Sequence, residues 1–68
     1  MKIIDHSVKV NGSQLIACYT FNNGYTAESW QPANPYSGAA LLVYTPAGFF
    51  ASDKVAANAL QAINKYNA

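Results

Sequence analysis

The sequence contains no arginine, one cysteine and one histidine in 68 residues. A single cysteine cannot form an internal disulfide, and one cysteine with one histidine cannot supply the roughly four ligands of a structural zinc site. Without arginine, and with only four scattered lysines, the chain lacks the basic surface on which nucleic-acid binding depends. We therefore expect no cofactor and no metal ion, and the composition disfavours a nucleic-acid partner.

Charged residues are also few, at 10% of the chain, while hydrophobic residues make up 51%. Disordered chains have the opposite composition, so the sequence predicts a folded protein. The length allows one small domain, residues 1–68. No apolar run reaches the roughly 18 residues of a membrane-spanning helix, and no membrane partner is expected. The lone thiol, Cys18, fits a reducing compartment and predicts a cytoplasmic location.

Alternation of polar and apolar residues predicts an N-terminal β-hairpin. In the first strand, residues 2–10, alternate side chains share one face: Ile4, His6, Val8 and Val10. Asn11-Gly12 then predicts a two-residue turn before a return strand at 13–21, because a type I′ turn needs positive φ at both central positions. The resulting pairs are Val10 with Ser13, Val8 with Leu15, His6 with Ala17, and Ile4 with Tyr19.

A second turn, at Asn22-Asn23-Gly24, predicts a third strand at residues 25–30. We expect a three-residue loop with Gly24 in the left-handed conformation, which places Tyr19 opposite Ala27. A register that differs by one residue would bury the carboxylate of Glu28 on the apolar face, and the three-residue loop avoids this.

The C-terminal half predicts a loop, a strand and a helix. Residues 31–38 contain two prolines and a glycine, which is typical of a loop, and the apolar segment 39–45 predicts a fourth strand. Ser52 is a favourable N-cap for an amphipathic helix at 53–66. The apolar stripe of this helix comprises Val55, Ala56, Ala59, Leu60 and Ile63. One helix covering one face of an antiparallel sheet of three or four strands in meander order gives a two-layer α+β fold.

Cys18 is the strongest candidate nucleophile in the sequence. The predicted registers place it between Asp5 and Glu28 on the sheet face away from the helix, where negative neighbours disfavour the reactive thiolate. His6 belongs to the opposite face, so a Cys–His pair cannot form, and we interpret His6 as a packed core histidine. The sequence therefore predicts no catalytic residue and no enzyme.

Trp30 is the residue that best indicates an interaction surface, because tryptophan and tyrosine are enriched among the residues that dominate binding energy at interfaces. The predicted register places Trp30 on the outward face of the sheet. The predicted partner-binding residues are Trp30, Ile16, Tyr36, Tyr44 and Ile3. In the alternative interpretation, the segment 39–50 folds back over Trp30 and buries it.

These patterns predict a small non-enzymatic cytosolic protein that acts by protein–protein binding. Chains of this size and layout are common among phage and mobile-element inhibitors of host systems, such as anti-CRISPR and anti-restriction proteins. One alternative is a structural homo-oligomer, most simply a homodimer, in which the same apolar face meets a second copy. Another is a weak single-stranded nucleic-acid-binding module that stacks bases on Tyr25, Trp30 and Tyr44.

Overall fold

The computed structural model describes residues 1–68 and contains every predicted element, with bounds within two residues of the prediction. The elements are β1 (Ile3–Asn11), β2 (Gln14–Phe21), β3 (Thr26–Gln31), β4 (Leu41–Tyr44) and α1 (Asp53–Asn67). The four strands form one antiparallel sheet in the order β1-β2-β3-β4, and α1 packs on one face. The predicted α+β meander is confirmed.

The first hairpin differs from the predicted register by two residues. Asn11 pairs with Gln14, so the two-residue loop is Gly12-Ser13 instead of Asn11-Gly12. Gly12 has φ +63° and Ser13 has negative φ, as a type II′ turn requires and a type I′ turn does not. The predicted pairs are therefore wrong, and Val8 lies opposite Ala17. Because the shift is an even number of residues, each β2 side chain keeps its predicted face.

The second hairpin has the predicted register. Tyr19 lies opposite Ala27, and Gly24 adopts φ +88°. The Gly24 N–H donates to the Phe21 carbonyl at 3.0 Å and closes the loop. Glu28 is consequently kept on the sheet face away from the helix.

The core lies between the sheet and α1. Its six buried members are Tyr19, Phe21, Ala27, Val43, Ala59 and Ile63. The helix begins as predicted, with the Ser52 hydroxyl accepting from the Val55 N–H at 3.4 Å. Leu60 was expected in the buried stripe, but 46% of it is exposed. It is rotated about 100° around the helix axis from Ala59, which is 0% exposed.

A β-bulge near the start of β1 overturns the predicted position of Ile3. Ile3 pairs with Phe21 and Asp5 pairs with Thr20, so β1 carries one extra residue between these pairs. The extra residue, Ile4, brings Ile3 to the helix face, where it packs against the core. The prediction that Ile3 belongs to the outward face is wrong, because strict alternation does not hold across a bulge.

Candidate interaction surface

Glu28 is the polar centre of the outer face, which we define as the sheet face away from α1. Its Oε1 accepts from Trp30 Nε1–H and from the Tyr44 hydroxyl, each at 3.4 Å. Its Oε2 lies 4.0 Å from Lys9 Nζ, an ion pair in which the lysine side chain is mostly exposed. Since β3 places Glu28 between the strands that carry Lys9 and Tyr44, one carboxylate links three strands and the indole.

Burial and the neighbouring carboxylate of Glu28 both shift the pKa of Tyr44. The pKa of the Tyr44 phenol is raised above its ordinary value, first because the ring is removed from water, then because of the negative charge of Glu28, and then because of their hydrogen bond. The phenol therefore stays neutral and donates a hydrogen bond to the carboxylate.

The predicted neighbours Trp30 and Ile16 do lie opposite each other on the outer face. Ile16, however, is only 3% exposed and Trp30 is partly buried. The loop after β3 lies across this end of the face, since Gln14 Nε2 donates to the Ala33 carbonyl at 3.3 Å. Ile16 is therefore internal packing under the indole and the loop, and its predicted exposure to a partner is wrong.

Of the other predicted contact residues, Tyr44 shares the outer face with Trp30 through Glu28 Oε1, and Tyr36 and Ile3 lie elsewhere. Tyr36 is 96% exposed at the tip of the loop. The Tyr44 ring stacks on Phe50 with ring centres 5.4 Å apart. Tyr25 packs against the core on the helix face, so it cannot share a base-stacking platform with Trp30 and Tyr44.

Cys18 lies opposite Glu28 as predicted, but its other neighbour is Ser7, because the two-residue shift of the first hairpin moves Asp5 opposite Thr20. The predicted Asp5–Cys18–Glu28 row is therefore absent. No group of three histidine, cysteine, aspartate or glutamate side chains is placed to hold a metal ion.

His6 is exposed, so the interpretation of a packed core histidine is wrong, but its ring belongs to an aromatic cluster on the helix face. Its ring stacks on Tyr19 with centres 4.7 Å apart and planes 3° apart, and Tyr66 of α1 meets it edge-on at 5.6 Å. Asn67 Nδ2 donates to the Tyr19 hydroxyl at 3.2 Å and ties the last turn of the helix to β2. The cluster marks where the helix stops covering the sheet.

Beyond this cluster, the end of the helix face towards the first hairpin turn has no cover. Three aliphatic side chains there are exposed: Val8 by 59%, Val10 by 71% and Leu15 by 49%. We call these three residues the uncovered patch. Val10 and Leu15 are cross-strand partners, so the three side chains are contiguous. Alternation in the sequence predicted correctly that these residues lie on the helix face. It does not show whether the 15-residue helix α1 extends far enough to cover them.

The backbone of β1 is also unpaired along its outer edge. The Phe21 N–H donates towards β3, to the Tyr25 carbonyl at 2.9 Å. The N–H and C=O groups of successive residues point to opposite sides of a strand, so the even-numbered residues of β2 form hydrogen bonds to β1. Their partners on β1 are Asp5, Ser7, Lys9 and Asn11. The N–H and C=O groups of His6, Val8 and Val10 therefore point to the free edge.

The opposite edge of the sheet is occupied. The Ala51 N–H donates to the Val43 carbonyl at 2.9 Å, and the Thr45 N–H donates to the Phe49 carbonyl at 2.7 Å. Residues 49–51 thus fold back along β4 and pair with its outer edge. Only β1 offers a strand-length row of unpaired backbone groups, which is the part of a sheet best suited to accept another strand.

One surface pocket, of about 540 Å³, lies between the N-terminus and the last turns of α1. Its lining consists of Met1, Lys2, Ile3, Ala62, Lys65 and Tyr66, and it contains no carboxylate side chain, thiol or imidazole.

The single helix, α1, is too short and too polar to span a membrane. Comparisons with protein-family models, curated proteins and solved structures found no match for this chain.

Proposed function

We propose that this is a non-enzymatic binding protein that accepts an extended polypeptide segment as an added strand along the free edge of β1. The observation that supports this function is the coincidence of two features at one place. The unpaired backbone groups of His6, Val8 and Val10 lie directly beside the uncovered patch.

The two features have complementary roles in strand addition. Main-chain hydrogen bonds along an edge give affinity for any extended segment, and side-chain contacts at alternate positions give selectivity. The incoming strand would present apolar side chains on the helix face, beside Val8 and Val10. On the outer face it would meet Asp5, Ser7 and Lys9, so polar or charged residues fit there.

The residues predicted from the sequence have a secondary place in this proposal. Trp30 and Tyr44 are held by Glu28, and Tyr36 is exposed but isolated, so we assign the principal contact to the β1 edge. Inhibition of a host system of the anti-CRISPR or anti-restriction type stays a prediction from the sequence, as does a cytoplasmic location.

A displayed library of random linear peptides tests the proposal without knowledge of the natural partner. Val8→Pro removes an edge N–H that has no bond within the chain, so it blocks strand addition without breaking the β1–β2 ladder. Val8→Ala is the matched control, because it shortens the same side chain and keeps the N–H.

We expect the wild type to select peptides that bind Val8→Ala with reduced affinity and do not bind Val8→Pro. Folding of each variant is checked by amide NMR spectra, and Val10→Pro replaces Val8→Pro if the latter does not fold. Selection of no edge-dependent peptide, or equal binding to the proline variant, would contradict strand addition at this edge.

A further inference from the structure

We infer that the strand accepted at this edge is β1 of a second copy, so that two chains form a continuous eight-stranded sheet about a twofold axis at Ser7. This inference rests on the function proposed above and identifies its partner. Antiparallel pairing of identical strands about a twofold axis is self-complementary, and it places both helices on the same face of the joined sheet.

Backbone direction restricts the possible registers. His6, Val8 and Val10 point their hydrogen-bonding groups outwards, so even-numbered residues of one copy must lie opposite even-numbered residues of the other. The twofold axis must then lie midway between the two copies of one residue, so that this residue is opposite itself. The three central choices are axes at His6, at Ser7 and at Val8.

Charge selects among these three registers. With the axis at Ser7, Asp5 lies opposite Lys9 of the second copy, and symmetry repeats the pair. An axis at His6 places Asp5 opposite Ser7, and an axis at Val8 places Asp5 opposite Asn11, so neither forms an ion pair. Oppositely charged residues directly across a ladder stabilise pairing. The net charge of +1 per chain adds little repulsion between copies.

The same register covers exposed apolar groups. His6 lies opposite Val8 of the second copy, and the side chain of Ile4, which is 63% exposed, comes close to Val10 of that copy. Neighbouring strands are about 4.8 Å apart. Tyr66, which is 51% exposed and lies against His6 of its own chain, is therefore brought beside Val8 of the other chain. Each copy thus places its aromatic cluster against the uncovered patch of the other.

Disulfide trapping at the axis tests this register. Ser7 faces its own copy as a non-hydrogen-bonded pair, in which Cα atoms are about 4.5 Å apart, within the range that a disulfide spans. Ser7→Cys is made together with Cys18→Ser, because Cys18 is the cross-strand neighbour of Ser7 within the chain. Ser13→Cys in the same background is the control, since its thiol lies in the exposed hairpin turn, away from the axis.

We expect light scattering to give a concentration-dependent dimer for the wild type, and mild oxidation to cross-link Ser7→Cys at least about tenfold faster than Ser13→Cys. Asp5→Lys should weaken dimerisation by about tenfold or more, because both ion pairs become like-charge pairs. Adding Lys9→Asp should restore most of this loss. Lys54→Asp, on the exposed side of α1, should have no such effect.

A monomer at every concentration, or equal cross-linking of the two thiols, would overturn the dimer. If peptides still bind the edge and Val8→Pro abolishes that binding, self-pairing fails while strand addition stands. If neither peptides nor a second copy use the edge, both proposals fail.

Discussion

Tyr44 donates its hydroxyl hydrogen to Glu28 Oε1, 3.4 Å away on the neighbouring strand, and the same oxygen accepts from the indole of Trp30. The carboxylate that the sequence suggested as a neighbour of Cys18 is therefore the acceptor that orders two aromatic side chains. The outer face is organised around this group and is not an open hydrophobic surface.

Glu28→Gln should lower the pKa of Tyr44 towards its ordinary value, because the negative charge is removed while burial remains. A raised pKa means that the folded state favours the neutral phenol. The associated stability is present below about pH 10 and is lost as the pH rises through the pKa of the folded state. NMR titration of the Tyr44 ring measures the shift, with Tyr44→Phe used for assignment. An unchanged titration in Glu28→Gln would show that the charge does not act on the phenol.

Trp30→Ala should destabilise the fold by about 2 kcal/mol, less than for a fully buried tryptophan, because the indole covers Ile16. Tyr36→Ala removes a comparably large ring that is almost entirely exposed, and its effect should stay within about 0.5 kcal/mol. Urea unfolding measures both. Equal stability of the two variants would mean that Ile16 is protected by the loop alone.

Gly24→Ala should be more destabilising than Gly48→Ala. Both glycines have φ +88°, so the cost of the left-handed backbone, about 1–2 kcal/mol, is common to both. A Cβ at Gly24 would lie 3.1 Å from Pro46 Cγ, whereas at Gly48 it would meet nothing within 4 Å. The difference between the two unfolding free energies isolates the contact between the β2–β3 turn and Pro46. The prediction is wrong if the two substitutions cost the same.

Ala59→Leu should destabilise the protein by about 1–3 kcal/mol through overpacking, because Ala59 is 0% exposed between α1 and the sheet. Ala57→Leu is the matched control on the exposed side of the same helix and should be nearly neutral. Thermal and urea unfolding compare the two. A neutral Ala59→Leu would indicate that the helix can move away from the sheet without loss.

The residues that were placed correctly from the sequence depend on short-range rules. The Gly24 loop followed from one glycine and from the need to keep Glu28 off the apolar face, and the helix start followed from Ser52. The first hairpin failed at the turn itself, because Asn11-Gly12 and Gly12-Ser13 are both acceptable two-residue turns. The choice between them depends on packing across the whole sheet.

The candidate site was less predictable than the fold. Ile16 and Leu15 are adjacent apolar residues of β2, yet Ile16 is covered and Leu15 is half exposed. Their alternation assigns them to opposite faces. In a two-layer fold, the residue on the helix face, Leu15, is the one expected to be buried. The loop after β3 covers the outer face near Ile16, and the helix ends before it reaches Leu15.

The sequence by itself determined the order of elements, the face of most strand residues and the amphipathic helix, because these depend on periodicity and on single turn residues. Tertiary structure decided the bulge at Ile4, the covering of Ile16 and the exposure of Val8 and Val10. The physical reason is that periodicity fixes the direction of a side chain, whereas burial depends on which distant segment lies over it.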